Sequence, residues 1–226
     1  MPFARLTLAA LAVTAPAVAE AQSARDLLVQ AAFEDRSKPV ALAKIERARV
    51  AASAAYARNP DDQDAAVVAA TALGYRAKLN GNRGEAIAAR RAFEGAVARF
   101  PRNAEANVAL GAWHIGVIVT YGRIVGRAAV GAQKNVGIAA LDRAVALGGN
   151  RAMFAGLAAL LRLEIDPEDP RGRALAEQAS RAPTPTTIDR YMQRACTAVL
   201  VPIRSGDDKQ VRAIADRLLP LGWYRG

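Results

Sequence analysis

From Ser23 onward, apolar residues recur at three- and four-residue spacing, and no convincing run alternates with period two. That spacing keeps apolar side chains on one face of a helix with 3.6 residues per turn, so the pattern predicts helices throughout. Turn formers divide it: Asn59-Pro60, Asn80-Gly81-Asn82, Phe100-Pro101, Gly148-Gly149-Asn150, the stretch 166–170, Pro183-Thr184-Pro185 and Ser205-Gly206. Proline lacks the donor a helix interior needs, and glycine and asparagine tolerate left-handed backbone. The stretches between predict ten helices, near 24–34, 39–58, 62–79, 83–99, 104–121, 134–147, 151–164, 170–181, 186–203 and 207–219. Asp61-Asp62 with Asp64, Asn103 with Glu105, and Thr186 or Thr187 sit where side-chain oxygens accept the unpaired N–H groups of a helix start. Short connections make successive helices antiparallel neighbours. The expected fold is all-α, built of stacked antiparallel helix hairpins.

Internal repetition sharpens this. Ala89, Phe93, Ala96 and Pro101 follow the spacing A-x3-F-x2-A-x4-P. Ala48, Ala52, Ala55 and Pro60 repeat it with Ala in the aromatic slot, and Gly137, Leu141, Ala144 and Gly149 with Gly at both ends. Ala215 and Pro220 keep the last spacing. A Leu-Gly pair, Leu73-Gly74 or Leu110-Gly111, precedes the second and third copies. Small residues let two helices approach, a larger one fills the gap, and Pro or Gly ends the second helix. This pattern resembles the tetratricopeptide repeat, well over 39–150 and more loosely over 151–220. The resemblance implies an α-solenoid whose concave face binds peptides or other ligands. The period departs from the family's 34 residues: Pro60 to Pro101 spans 41, and Pro101 to Gly149 spans 48. One enlarged central unit is therefore expected. A more remote likeness is to irregular repeat proteins related to the regulator of microtubule dynamics, and to the T-component of periplasmic TRAP-type uptake systems.

The first residues read differently. Met1 to Arg5 is a short basic segment, Leu6 to Val18 is uncharged, and Ala17-Val18-Ala19 and Ala19-Glu20-Ala21 are small-x-small sites. This is the layout of a secretory signal peptide, residues 1–21, cleaved after Ala21 or Ala19. Its apolar stretch, about 20 Å as a helix, is too short to cross a bilayer. The expectation is a periplasmic protein with one repeat domain over 22–226. Composition adds exclusions. Ala is 54 of 226 residues, the best helix former and a poor strand former, which disfavours a β fold. One cysteine, Cys196, excludes an internal disulfide. The net charge of +10 suits an anionic partner. Nucleic acid is not expected, because export argues against it and no aromatic interleaving supports it.

The chemistry on offer is sparse. Residues 106–122 carry no charge, and glycines at 111, 116, 122, 126, 131 and 137 lie in or just after the run. A helix to about Arg123 is expected, the most buried of the core, followed by a Gly-rich segment at 124–133 folding over one end of the stack as a binding lip. Trp113, Tyr75 and Tyr121 are candidate aromatic contacts, and Arg123 and Arg127 candidate partners for carboxylates. His114, the single histidine, reads either as a core residue bonded internally or as a ligand contact. Cys196 reads as a buried thiol. Glu164, Asp166, Glu168 and Asp169 crowd one turn, with spacing unlike a calcium loop. No phosphate-binding loop, nucleophile elbow or zinc signature occurs, so no catalytic residue, metal or cofactor is expected. The functional expectation is a non-catalytic scaffold binding a protein or peptide, or, alternatively, an accessory protein binding a small acidic solute for uptake.

Overall fold

A computed structural model describes residues 15–224, with side chains from Ala24 onward. Most of the expected signal peptide lies outside the described residues, and its last seven residues appear only as helix backbone. Eleven α-helices and one 3-10 turn make up the described chain. They are α1 (Ala15–Phe33), α2 (Lys38–Arg58), α3 (Gln63–Asn80), α4 (Arg83–Arg99), α5 (Ala104–Tyr121) and α6 (Arg123–Val130). After them come α7 (Lys134–Leu147), α8 (Ala152–Ile165), α9 (Pro170–Arg181), α10 (Thr187–Ser205) and α11 (Asp208–Leu218). No strand occurs among the described residues.

The starts are capped as the polar pattern suggests. Asp62, Asn82, Asn103, Asp169 and Asp207 each accept an N–H from the first turn of the helix that follows. Thr186 and Asp189 form a reciprocal capping box.

The hairpins are α1/α2, α3/α4, α5/α7, α8/α9 and α10/α11. The repeat positions explain their closeness. A Cβ on Gly74 would stand 3.0 Å from the Phe93 ring, so the aromatic of α4 seats on the glycine of α3. One unit later, a Cβ on Gly111 would stand 2.8 Å from Leu141 and 3.0 Å from the Gly137 carbonyl oxygen. Leu141 thus occupies the place Phe93 holds in the unit before. Ala48, Ala52, Ala55, Ala89, Ala96 and Ala144 are all buried at such crossings.

Two expectations are corrected. Residues 123–130 form a helix, α6, where a Gly-rich segment was expected. Its Gly126 packs so closely against α5 that a Cβ there would stand 3.0 Å from Val117 Cγ1, and Gly131, left-handed at φ +80°, terminates it. α5 and α6 meet at 119°. The bend turns on Gly122, whose φ of +80° and ψ of 160° fall where only glycine rests without strain. The second correction concerns burial. α8, with thirteen of fourteen residues buried, is the central helix, whereas α5 buries nine of eighteen. Arg162 tolerates this position because Asp142 and Asp169 both pair with it.

α1, α3, α5 and α8 pack in succession, each also against its own hairpin partner. The stack then closes on itself. Phe33 of α1 stacks on Tyr191 of α10 at 4.6 Å, and the Tyr191 hydroxyl donates to Glu34 at 3.0 Å. The Leu221 N–H donates to the Ala32 carbonyl at 3.0 Å, and its side chain is fully buried among α1, α2 and α3. Trp223 lies between Arg36 and Arg217, and the Tyr224 hydroxyl donates to the Asp35 carbonyl. No single described helix is long and apolar enough to cross a membrane; α5 and α6 meet that length only together, across their bend.

Candidate functional site

α1, α3, α5 and α8, with parts of α4 and α6, line a groove of about 370 Å³. Its floor is a stripe along α5: Glu105, Ala109, Ala112, Gly116 and Thr120. These recur at three- and four-residue spacing, so they share one helix face, and all but the ends are small. The space above that face is therefore left unfilled by α5 itself. α3 contributes Val68, Thr71, Tyr75 and Lys78, α1 contributes Leu28 and Val29, and α8 contributes Met153, Leu157 and Leu161. Ile188, Leu219 and Pro220 close the remaining side, so the segment that ties the ring together also walls the groove.

The groove's wall is overwhelmingly apolar, and its polar groups gather near its ends. At the start of α5, Arg25 pairs with Glu105 and lies 3.7 Å from Asp64. Burial opposes the charge on Arg25, but Glu105 and Asp64 outweigh it and hold its pKa above the ordinary arginine value. This end is internally neutralised. At the other end stand Lys78, Asn82, Arg83 and Tyr121. Arg83 Nε donates to the Ala129 carbonyl at 2.9 Å, tying α4 to α6. Lys78 Nζ donates to the Pro220 carbonyl at 2.6 Å. Tyr75 is half-buried on the groove wall, and burial alone pushes its hydroxyl pKa up, so it is a neutral hydrogen-bonding group there.

Beyond Lys78 and Thr120, which line both spaces, a second and more open hollow of about 840 Å³ begins. Lys38, Lys209, Arg212, Glu164, Asp208 and Asp216 stand on its wall beside apolar residues such as Val119 and Leu221. Leu219 and Pro220 face the groove and Leu221 the hollow, so the closing segment runs between them.

The predicted residues separate on this geometry. Trp113, Tyr75 and Tyr121 line the groove. Arg123 and Arg127 stand exposed on α6, the element that forms the rim with Val125, Gly126 and Ala129. Neither has an ion-pair partner among the described residues. Ile124, 81% exposed, stands outward beside them. His114 is elsewhere. It is buried, its Nδ1 accepts the Gln133 N–H at 3.2 Å, and its ring meets Trp113 edge-on. Nε2 therefore carries the proton, and it finds no partner among the described residues. Burial, aided by the nearby Arg90 charge, lowers its pKa to about 4, so the ring is neutral at pH 7. Its contact pins the turn after α6 to α5.

Cys196 is buried, and burial pushes its thiol up to about 12. The acidic turn is structural: Asp166 accepts the Glu168 N–H, and Asp169 caps α9 and pairs with Arg162. Among the described residues no group of three His, Cys, Asp or Glu side chains could hold a metal ion. The small-residue floor of α5 was not among the predicted site residues, although its spacing was there to be read. Compared with known proteins, the chain matches no family model, no curated protein and no solved structure.

Proposed function

We propose that this is an exported, non-catalytic binding module of tetratricopeptide-like hairpins, and that its groove holds an elongated apolar ligand. The observation that carries the reading is the groove's lining. Were the groove a sealed, empty void, its 370 Å³ would cost about 9 kcal/mol at roughly 24 cal/mol per Å³. That rivals the whole stability of a domain, about 5–15 kcal/mol. Water fills such a space poorly, because few polar atoms on the wall can bond it. A ligand would cover that apolar surface, and the volume falls within the range of about 300–1,000 Å³ common for small-molecule sites.

Size and polarity select among ligands. An extended peptide would fit, but it brings two backbone polar groups per residue. Thr71, Tyr75 and Thr120 are among the few side chains able to meet them, and each buried group left unpaired costs about 1–3 kcal/mol. A small acidic solute would leave the apolar wall uncovered. A flexible hydrocarbon chain has neither problem, and each CH₂ it buries contributes about 0.8 kcal/mol.

The test is a groove-filling substitution. The protein should bind the uncharged probe N-phenyl-1-naphthylamine with a rise in its fluorescence, and Ala112→Phe should reduce affinity at least tenfold while the helical circular dichroism is retained. Unaltered probe binding by the well-folded variant would refute the groove as the site.

A further inference from the structure

Resting on that reading of the groove, we infer that its ligand is a single-chain amphiphile with an anionic head, the chain lying along α5 and the head in the charged hollow beyond Lys78 and Thr120.

The two spaces are neighbours, and charged side chains are far more frequent on the wall of the hollow than on that of the groove. Lys78 and Thr120 belong to both walls, one on α3 and one on α5. From Glu105 to Thr120 the floor of the groove is 15 residues long, about 23 Å at 1.5 Å per residue. An apolar body of that length, open at one end onto charged side chains, has the polarity profile of an amphiphile. The far end gives no comparable place for a head, because Arg25 is already matched by Glu105 and Asp64.

The sign of the head follows from which charges in the hollow are already engaged. Asp208 pairs with Arg173 at 3.3 Å. Glu164 is buried at the end of α8 and Asp216 has an interaction of its own. Arg212 donates through Nε to the Glu164 carbonyl at 3.2 Å. Lys78 is engaged by the Pro220 carbonyl and marks the junction. Lys38, at the start of α2, and Lys209, at the start of α11, are exposed and have no hydrogen-bond or ion-pair partner among the described residues. The acids of the hollow are thus committed within the protein, while two ammonium groups on its wall are not. An anionic head entering the hollow meets those two lysines; a cationic head meets their repulsion.

The experiment displaces N-phenyl-1-naphthylamine with four twelve-carbon ligands: dodecanoate, dodecyl phosphate, dodecanol and dodecyltrimethylammonium. All are used below their micelle concentrations. The expected order places both anions at least tenfold tighter than the alcohol, with the cation weakest. Preference for the carboxylate or for the phosphate identifies the source of the charge, and either supports the inference. Lys38→Glu and Lys209→Glu should each weaken dodecanoate by up to about fivefold, the ceiling for one exposed charge pair. They should leave probe and dodecanol affinity unchanged, which a folding defect would not do. Equal affinity for dodecanoate and dodecanol would overturn the anionic head while leaving the groove reading intact. Failure of the uncharged probe itself to bind would overturn both.

Discussion

Replacing His114 with Asn tests how the turn after α6 is held to α5. His114 is 1% exposed, and its Nδ1 accepts the Gln133 N–H. Asparagine places Oδ1 near the position of Nδ1, so the acceptor survives and the titrating ring is lost. The folded pKa, about 4, lies below the ordinary 6.5. For a base so depressed, the unfolded chain binds the proton first, and stability falls as pH drops from about 6.5 towards 4. Integrating that linkage between about pH 7 and about pH 5 gives a loss of roughly 2 kcal/mol attributable to this one ring. The carboxylates of the protein also titrate at low pH, so the difference between wild type and His114→Asn is the quantity to follow. Urea unfolding at a series of pH values should show the variant about 1–2 kcal/mol weaker at pH 7, from lost packing. At pH 5 that gap should have closed or reversed. Parallel curves, with a constant difference across the range, would refute the view of a buried neutral imidazole.

Other outcomes follow from the backbone and the caps. Gly122→Ala forces a side chain into the φ +80°, ψ 160° corner and should cost about 1–3 kcal/mol. A Tm lowered by roughly 2–10 °C in a thermal melt would register it. Gly95→Ala is the contrasting control: the site lies mid-helix with nothing within 4 Å of the new Cβ, so it should gain about 0.5–1 kcal/mol. Asp189→Ala removes the acceptor for the Met153 N–H at 2.8 Å, the Arg151 pair and the Thr186 box, and should cost about 3–5 kcal/mol in urea unfolding. Despite the opposing effect of burial, Arg151 and Thr186 hold the Asp189 carboxyl below its usual value, so its contribution is present above about pH 3.8 and lost as pH falls further.

The helices were legible because local chemistry writes their ends. Asp62, Asn103 and Thr186 mark starts, and Gly81, Gly148 and Gly206 mark stops, all within one turn of the observed limits. α6 was not legible, since glycines at 122, 126 and 131 signal a loop unless one knows that Gly126 meets Val117. Burial of α8 was hidden by Arg162, whose tolerance depends on Asp142, twenty residues away in sequence. At the groove, Trp113, Tyr75 and Tyr121 stood out as large aromatics. His114 follows Trp113 in sequence, but the next residue of a helix turns about 100° away, which carries it off the groove. The closure by Leu221, Trp223 and Tyr224 left no local trace, because its contacts join residues as many as 189 positions apart.

That closure bears on how such a protein can change over time. An open stack of hairpins can gain or lose a unit at little cost, since each unit touches only its neighbours. Here Leu221 and Tyr224 are seated on the first hairpin, so an inserted unit would pull them from their places. The circumference is fixed, and with it the length of the groove. Any change in the shape of the interior must then proceed by exchanging side chains at Ala109, Ala112 and Gly116, moving the floor of a container whose perimeter stays constant.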